Sequence, residues 1–206
     1  MNEQQAIPIK IIMVGSLNVG KTSLVAKYAT GKIPGREKFT KNASYVSKPR
    51  NIDGVKFEIK LWDTAGQEKY QSLTKLFTKD AKIAILVYSI DSEESFNDLA
   101  DWLKLIKAAN DDEIILGVAA NKSDLKSDST ISESKGREYA KKIRAEWKST
   151  SAILENGGIE EFIETLFLKY YSSIFKVYSE NNLNDALSSI TLSTLNSRAK
   201  KGGCCK

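Results

Sequence analysis

Histidine is missing from all 206 residues. Any general base or metal ligand must come from another side chain, so imidazole chemistry is excluded. Cysteine occurs only as Cys204 and Cys205, both within the last three residues. That placement rules out a disulfide framework and suits a reducing compartment. No stretch offers the roughly 18 consecutive apolar residues that a membrane-spanning helix needs. The first residues carry neither the basic region nor the apolar run of a secretory signal. No internal repeat is visible. A net charge of +5 is too small to argue for nucleic acid, although its sign favours anionic partners such as nucleotides or acidic membranes.

What is present suits one globular domain with a tail: 41% of residues are hydrophobic and 28% charged. Ile7 to Val14 reads as a first strand. Further strands are expected near 43–50 and 55–62, joined by a turn at Asn51–Gly54. The runs Ile83–Tyr88 and Ile114–Ala120 are almost continuously apolar, which suits a parallel sheet covered on both faces. Between them Phe96, Leu99, Ala100, Leu103 and Ile106 recur at helical spacing. Ile159, Phe162, Ile163, Leu166, Phe167 and Tyr170 form a second such face. A helix near 132–144 has a capping residue in Ser132, although Gly136 weakens it. Alternating strands and helices predict a doubly wound α/β domain, with ligands outside the carboxyl ends of the strands. Residues 1–6 read as a flexible start, 7–174 as the domain, and 175–206 as a Ser- and Asn-rich tail with a thin apolar stripe at Leu183, Leu187 and Ile190.

Three segments carry chemistry. Gly15-Ser16-Leu17-Asn18-Val19-Gly20-Lys21-Thr22 lies between a strand and a helix that Ser23 continues. This is the context of a phosphate-binding loop, whose backbone N–H groups surround a phosphate chain. Lys21 would place a charge on the β and γ phosphates, and Thr22 would offer a hydroxyl to Mg²⁺. Downstream comes Asp63-Thr64-Ala65-Gly66-Gln67 at a strand end. Asp63 can hold a Mg²⁺ water, Gly66 can present its N–H to a γ-phosphate, and Gln67 can orient an attacking water. Third is Asn121-Lys122-Ser123-Asp124, directly after a strand. The Asp124 carboxylate can accept from both the ring N1–H and the exocyclic amine of guanine; adenine lacks that donor pair. The Lys122 stem can lie along the base, and Asn121 can tie this loop to the phosphate loop.

With these elements in order, the chain resembles the Ras superfamily of small GTPases, and within it the Rab family, over about residues 7–170. Ile59-Lys60-Leu61-Trp62, Lys69-Tyr70-Gln71-Ser72-Leu73-Thr74 and Leu86-Val87-Tyr88-Ser89-Ile90 are Rab-like segments. The resemblance implies the small-GTPase fold, a mostly parallel six-stranded sheet with helices on both faces. It implies GTP/GDP and Mg²⁺ as ligands, with GTP hydrolysis as the reaction. Thr40 matches the switch threonine that meets Mg²⁺ and the γ-phosphate. Ser151 and Ala152 match the pair whose N–H groups approach the guanine O6. Tyr45, Trp62 and Phe77 match an effector-reading aromatic triad. The expected partners are effectors, an exchange factor, a GTPase-activating protein, a prenylation escort and a GDP-dissociation inhibitor. A monomer is expected, without nucleic acid, on the cytoplasmic face of vesicle or endosomal membranes.

Several positions depart from the family pattern. Leu17 replaces a small residue and can crowd Gln67 and an inserted arginine finger. Ile33 stands where an aromatic ring covers the guanine edge, Ile153 where a Lys braces it, and Lys41-Asn42 replaces Ile-Gly. Slow hydrolysis and fast GDP release are the expected consequences. In the tail, Gly203 occupies the position where a simple prenylation box needs Cys. The pair Cys204 and Cys205 instead resembles the doubly geranylgeranylated Rab ending. Two chains anchor stably where one does not, and Arg198, Lys200 and Lys201 would add about 1 kcal/mol each at an anionic leaflet. Two other readings stay open at this stage: a GTP-binding scaffold that barely hydrolyses, and an ATP-using kinase with the same phosphate loop.

Overall fold

The computed structural model describes residues 5–32, 44–64, 78–110, 113–128 and 130–178. β1 (Ile7–Val14) is the central apolar run, flanked in parallel by β3 (Val55–Asp63) and β4 (Ile83–Ser89). β5 (Ile115–Asn121) and then β6 (Glu146–Ser149) continue the parallel sheet beyond β4. β2 (Ser44–Ile52) pairs antiparallel with β3 and forms the other edge. The order is therefore β2-β3-β1-β4-β5-β6, the six-stranded, mostly parallel sheet the resemblance implies. The β2–β3 turn is two residues, Asp53 and Gly54, at φ 49° and 80°. Two left-handed residues match the twist of a hairpin, and Asp and Gly tolerate them best.

Side chains alternate across each strand, so β1 feeds two cores. Ile9, Ile11 and Met13 pack with Leu24 and Tyr28 of α1 (Lys21–Thr30) and with Phe162, Ile163 and Phe167 of α5 (Ile159–Tyr178). Ile12 and Val14 face the opposite way. They join Phe96 of α2 (Glu93–Asn97), Leu99, Trp102 and Ile106 of α3 (Leu99–Ala109), and Ala140 of α4 (Glu133–Lys142). Helices thus cover both faces, and each large buried side chain contributes roughly 1.5–3 kcal/mol. The α5 stripe is as expected: all six of its apolar positions are buried.

The segment around 96–106 differs from expectation. It is two helices broken at Asp98, not one. A single helical period read across that break puts Ala100 inward, but Ala100 is exposed and Trp102, 4% exposed, takes the core position. Ser132 does cap α4, its hydroxyl accepting from the Lys135 N–H at 3.2 Å. Gly136 is required by packing: a Cβ there would overlap the Tyr88 hydroxyl and lie 2.7 Å from the Trp147 Nε1. β6 has only four residues, Glu-Trp-Lys-Ser, too short and too charged for periodicity to locate it. Its Glu146 and Lys148 pair with Lys169 and Glu161 of α5 at 2.5 and 2.7 Å. The last helix extends to Tyr178, beyond the boundary at 174 drawn from composition.

Candidate functional site

The carboxyl ends of β1, β3, β5 and β6 bring the sequence motifs to one edge of the sheet, where open α/β folds bind ligands. The chain leaves β1 at Val14 and passes through Gly15–Gly20 into α1. Gly15 (φ 148°) lies so close to Val87 that a Cβ would overlap its carbonyl oxygen. Gly20 (φ 93°) is pressed equally hard against the Asn121 amide nitrogen. Asn18 between them is left-handed at φ 64°, which Asn tolerates. The start of α1 has no side-chain cap and no acidic residue in its first turn. Its N–H groups and dipole are therefore directed at whatever anion the loop encloses. Lys21 is 5% exposed, and its ammonium donates to the carbonyls of Gly15 (2.7 Å) and Ser16 (2.9 Å). The charge is folded inward over the loop. Thr22 and Ser23 follow in the first helical turn.

Asp63 is the last residue of β3, in register with Met13 and Ser44, and is 2% exposed. The Thr64 hydroxyl donates to the Met13 carbonyl at 2.6 Å, which commits it to holding the strand ends together.

The loop after β5 is stitched to the phosphate loop. The Asn121 carboxamide donates to the Val19 carbonyl at 2.7 Å and accepts from the Thr150 hydroxyl at 3.2 Å. Asn121 is 2% exposed and Val19 1%, so this contact is shielded from water. Lys122 is left-handed at φ 62°, and its ammonium lies 3.5 Å from Asp91. The Ser89 hydroxyl, with Lys122 behind it, holds the Asp91 carboxyl below its ordinary range. The Asp124 carboxylate accepts from the Ser151 hydroxyl at 2.5 Å. That hydroxyl in turn accepts the N–H groups of Ile153 (3.1 Å) and Leu154 (3.2 Å). One serine thus shapes its own loop while aiming the acid. Ala152 is buried beside it, whereas Ile153 and Leu154 are 58% and 45% exposed. Leu17, on the phosphate loop, is 42% exposed.

Next to Asp63, Tyr45 and Trp62 sit opposite each other on β2 and β3 with ring centroids 4.8 Å apart. Tyr45 is 49% exposed. The Lys60 ammonium lies 5.5 Å from the Tyr45 ring and that of Lys10 5.0 Å from the Trp62 ring. Thr40, Gly66, Gln67, Phe77, Cys204 and Cys205 lie outside the described residues, as do Ile33, Lys41, Asn42 and Lys69–Thr74. Among the described residues no helix is long and apolar enough to cross a membrane.

Sequence reasoning overlooked two contacts. One is the pairing of Lys122 with Asp91. The other is a hydrogen bond from the Ser16 hydroxyl to Asp98 at 2.6 Å. Their sequence separations, 31 and 82 residues, leave no local pattern that could reveal them.

Comparison with known proteins agrees with this geometry. Residues 10–172 match the family model described as Ras family. The chain is 37% identical over 161 residues to the Ras-related protein Rab-21 of Geodia cydonium, covering 78% of this chain and 70% of that one. It is 37% identical over 157 residues to human Rab-21, covering 76% and 69%. Against RabJ of Dictyostelium discoideum the identity is 34% over 175 residues, covering 83% and 68%.

Proposed function

The chain belongs to the Ras family as a Rab-like small GTPase, a guanine-nucleotide switch of vesicle trafficking, and we propose how its own residues perform that role. One observation carries the assignment. The phosphate loop and the loop bearing Asp124 form one unit, joined by the buried Asn121–Val19 bond. A ligand spanning both must present phosphates at one end and a base at the other. Backbone N–H groups of residues 15–20 and of the α1 start hold the phosphates, and Lys21 turns from the loop carbonyls toward them. Asp124, aimed by Ser151, accepts from N1–H and the exocyclic amine of guanine. Against adenine the acid would stay unpaired, which penalises that base. The Lys122 stem, steadied by Asp91, lines the base, and the N–H groups of Ser151 and Ala152 face its O6.

Thr22 and Asp63 are the candidate holders of Mg²⁺. A hydroxyl and a buried carboxylate are the hard oxygen donors that this ion takes. No cluster of three acidic, His or Cys groups lies among the described residues. Mg²⁺ habitually completes its shell with substrate phosphates and water, so such a sparse protein set fits it. When bound, the ion neutralises charge on the β and γ oxygens. Thr40 would be a further ligand to it, Gly66 would donate its N–H to the γ-phosphate, and Gln67 would orient the attacking water. Leu17, exposed beside that space, slows this step, while Ile33 and Ile153 speed GDP release. An activating partner is needed for useful turnover.

Effectors read the face carrying Tyr45 and Trp62, with Phe77. Lysines over both rings favour a partner segment with an apolar anchor and acidic flanks. An exchange factor, escort and dissociation inhibitor complete the cycle. Prenylated Cys204 and Cys205 hold the protein on the cytoplasmic face of vesicle or endosomal membranes.

Calorimetric titration of the refolded, nucleotide-free chain tests the reading. GDP and GTP should bind tightly with Mg²⁺ present, and ADP and ATP should not. Equal heats for adenine and guanine nucleotides would overturn the assignment of Asp124.

A further inference from the structure

We infer that Asp98 is a positioning residue for the phosphate loop: through Ser16 it couples the break between α2 and α3 to the grip on nucleotide. This inference rests on the guanine-nucleotide reading above. Asp98 joins α2 to α3 with helical backbone angles (φ −66°, ψ −16°), so its carboxylate is not placed to accept the N–H groups of α3. It makes no such bond. Instead its Oδ2 accepts the Ser16 hydroxyl at 2.6 Å. The loop thereby gains a charge-assisted tether.

The tether is stiff at both ends. The Asp98 backbone N–H donates to Glu94 in α2, and its carbonyl accepts from Asp101 and Trp102 in α3. Moving the carboxylate therefore means moving two helix ends. At the other end Ser16 is 7% exposed, and the Trp102 indole Nε1 lies 3.5 Å from the same hydroxyl oxygen. Trp102 is itself 4% exposed. Ser16 is also the residue whose carbonyl accepts Lys21, and Leu17 follows it directly. One serine thus joins the tether to a carbonyl that holds Lys21, directly before Leu17. Position matters here rather than charge, because an anion near the phosphates would by itself weaken their binding. An amide oxygen in the same place should keep much of the tether.

The test uses the full chain loaded with a fluorescent GDP analogue, with release followed by stopped flow in Mg²⁺. Ser16→Ala and Asp98→Ala should each speed release about tenfold, the loss of one hydrogen bond to a charged group. The double variant should go no further than either single one. Asp98→Asn should lie between the parent and Asp98→Ala, within about threefold of the parent, since it keeps the acceptor but loses its charge. In chains carrying 5-fluorotryptophan, the ¹⁹F line assigned by Trp102→Phe should shift in Ser16→Ala and hold in Asp98→Asn. Should Asp98→Ala fail to fold, Ser16→Ala and Asp98→Asn still decide. Unchanged release in folded Ser16→Ala, multiplying effects in the double variant, or no rescue by Asp98→Asn would each overturn the inference. Failure of the parent chain to bind GDP in titration would instead remove the reading on which it stands, and the inference with it.

Discussion

Replacing Asn121 by Ala isolates the bond that makes two loops into one site. The change removes a 2.7 Å hydrogen bond to the Val19 carbonyl and a 3.2 Å bond from the Thr150 hydroxyl. All three residues are 2% exposed or less, so water cannot replace the lost partner without opening the site. Two bonds at about 1 kcal/mol each, plus the stranding of a carbonyl and a hydroxyl, give a loss of about 2–4 kcal/mol. For a domain of this size that corresponds to a fall in melting temperature of about 5–12 °C. The bond also fixes Val19 within the phosphate loop, so the variant should gain less from ligand. Saturating GDP raises the melting temperature in proportion to the logarithm of its excess over Kd. Scanning calorimetry with and without GDP measures both effects. Asn121→Asp is the sharper case: it keeps the size, deletes the donor and sets an anion against the Val19 carbonyl. It should be worse than Ala. A fall below about 2 °C, or an undiminished rise with GDP, would show that the two loops are not mechanically joined.

Leu17, 42% exposed on the phosphate loop, is proposed to crowd Gln67 and an inserted arginine finger, so Leu17→Gly should speed single-turnover GTP hydrolysis; equal rates for variant and parent would remove Leu17 from the mechanism. Gly136→Ala should cost about 1–3 kcal/mol in chemical denaturation, since its methyl must displace Tyr88 and Trp147; GDP release at 25 °C should be unaffected, and a neutral effect on stability would contradict the packing. Burial pushes the Tyr28 hydroxyl up to about 12, as burial and then Asp53 do for Tyr171. Between pH 10 and 12 the unfolded chain thus binds fewer protons than the folded one, so stability is intact below pH 10 and falls as pH rises through that window. Urea midpoints along a pH series should flatten in Tyr28→Phe and Tyr171→Phe, and an unchanged slope in both would count against those shifts.

Legibility from sequence followed the range of the interactions. β1 and α5 were readable because burial on two faces or one helical stripe imposes a continuous or periodic pattern. The β2–β3 hairpin was readable through Asn51–Gly54, and the structure narrows its turn to Asp53-Gly54. Ala100 is exposed because Leu99, Trp102 and Ile106 set the buried face of α3 and Ala100 lies to one side of it, a choice of face that the spacing alone leaves open. β6 lacked enough residues to declare a period and exists because Gly117–Ala120 supply its partner backbone. Within the site, the loop glycines and Lys21 were legible because close approach and phosphate charge tolerate few substitutes. From sequence Ser16 is one more loop member, since nothing near it announces Asp98.

The same division separates what this site binds from how long it holds it. In the proposed site, Asp124 and the loop N–H groups would choose a guanine nucleotide, and local motifs specify them. The residues that set their rigidity come from elsewhere: Asp98 behind Ser16, Asp91 behind Lys122, Thr150 behind Asn121. Each such pair aligns a group that already has its chemistry. Alignment changes rates through loop freedom, and a hydrogen bond lost from a ligand-contacting loop is felt as faster escape. A switch needs its off-rate set within bounds, because exchange must be slow alone and fast with a partner. Contacts behind the motifs can adjust that rate without altering which base is chosen. Substitutions at Leu17, Ile153 and Asp98 should therefore change the timing of this switch and leave its guanine selectivity intact.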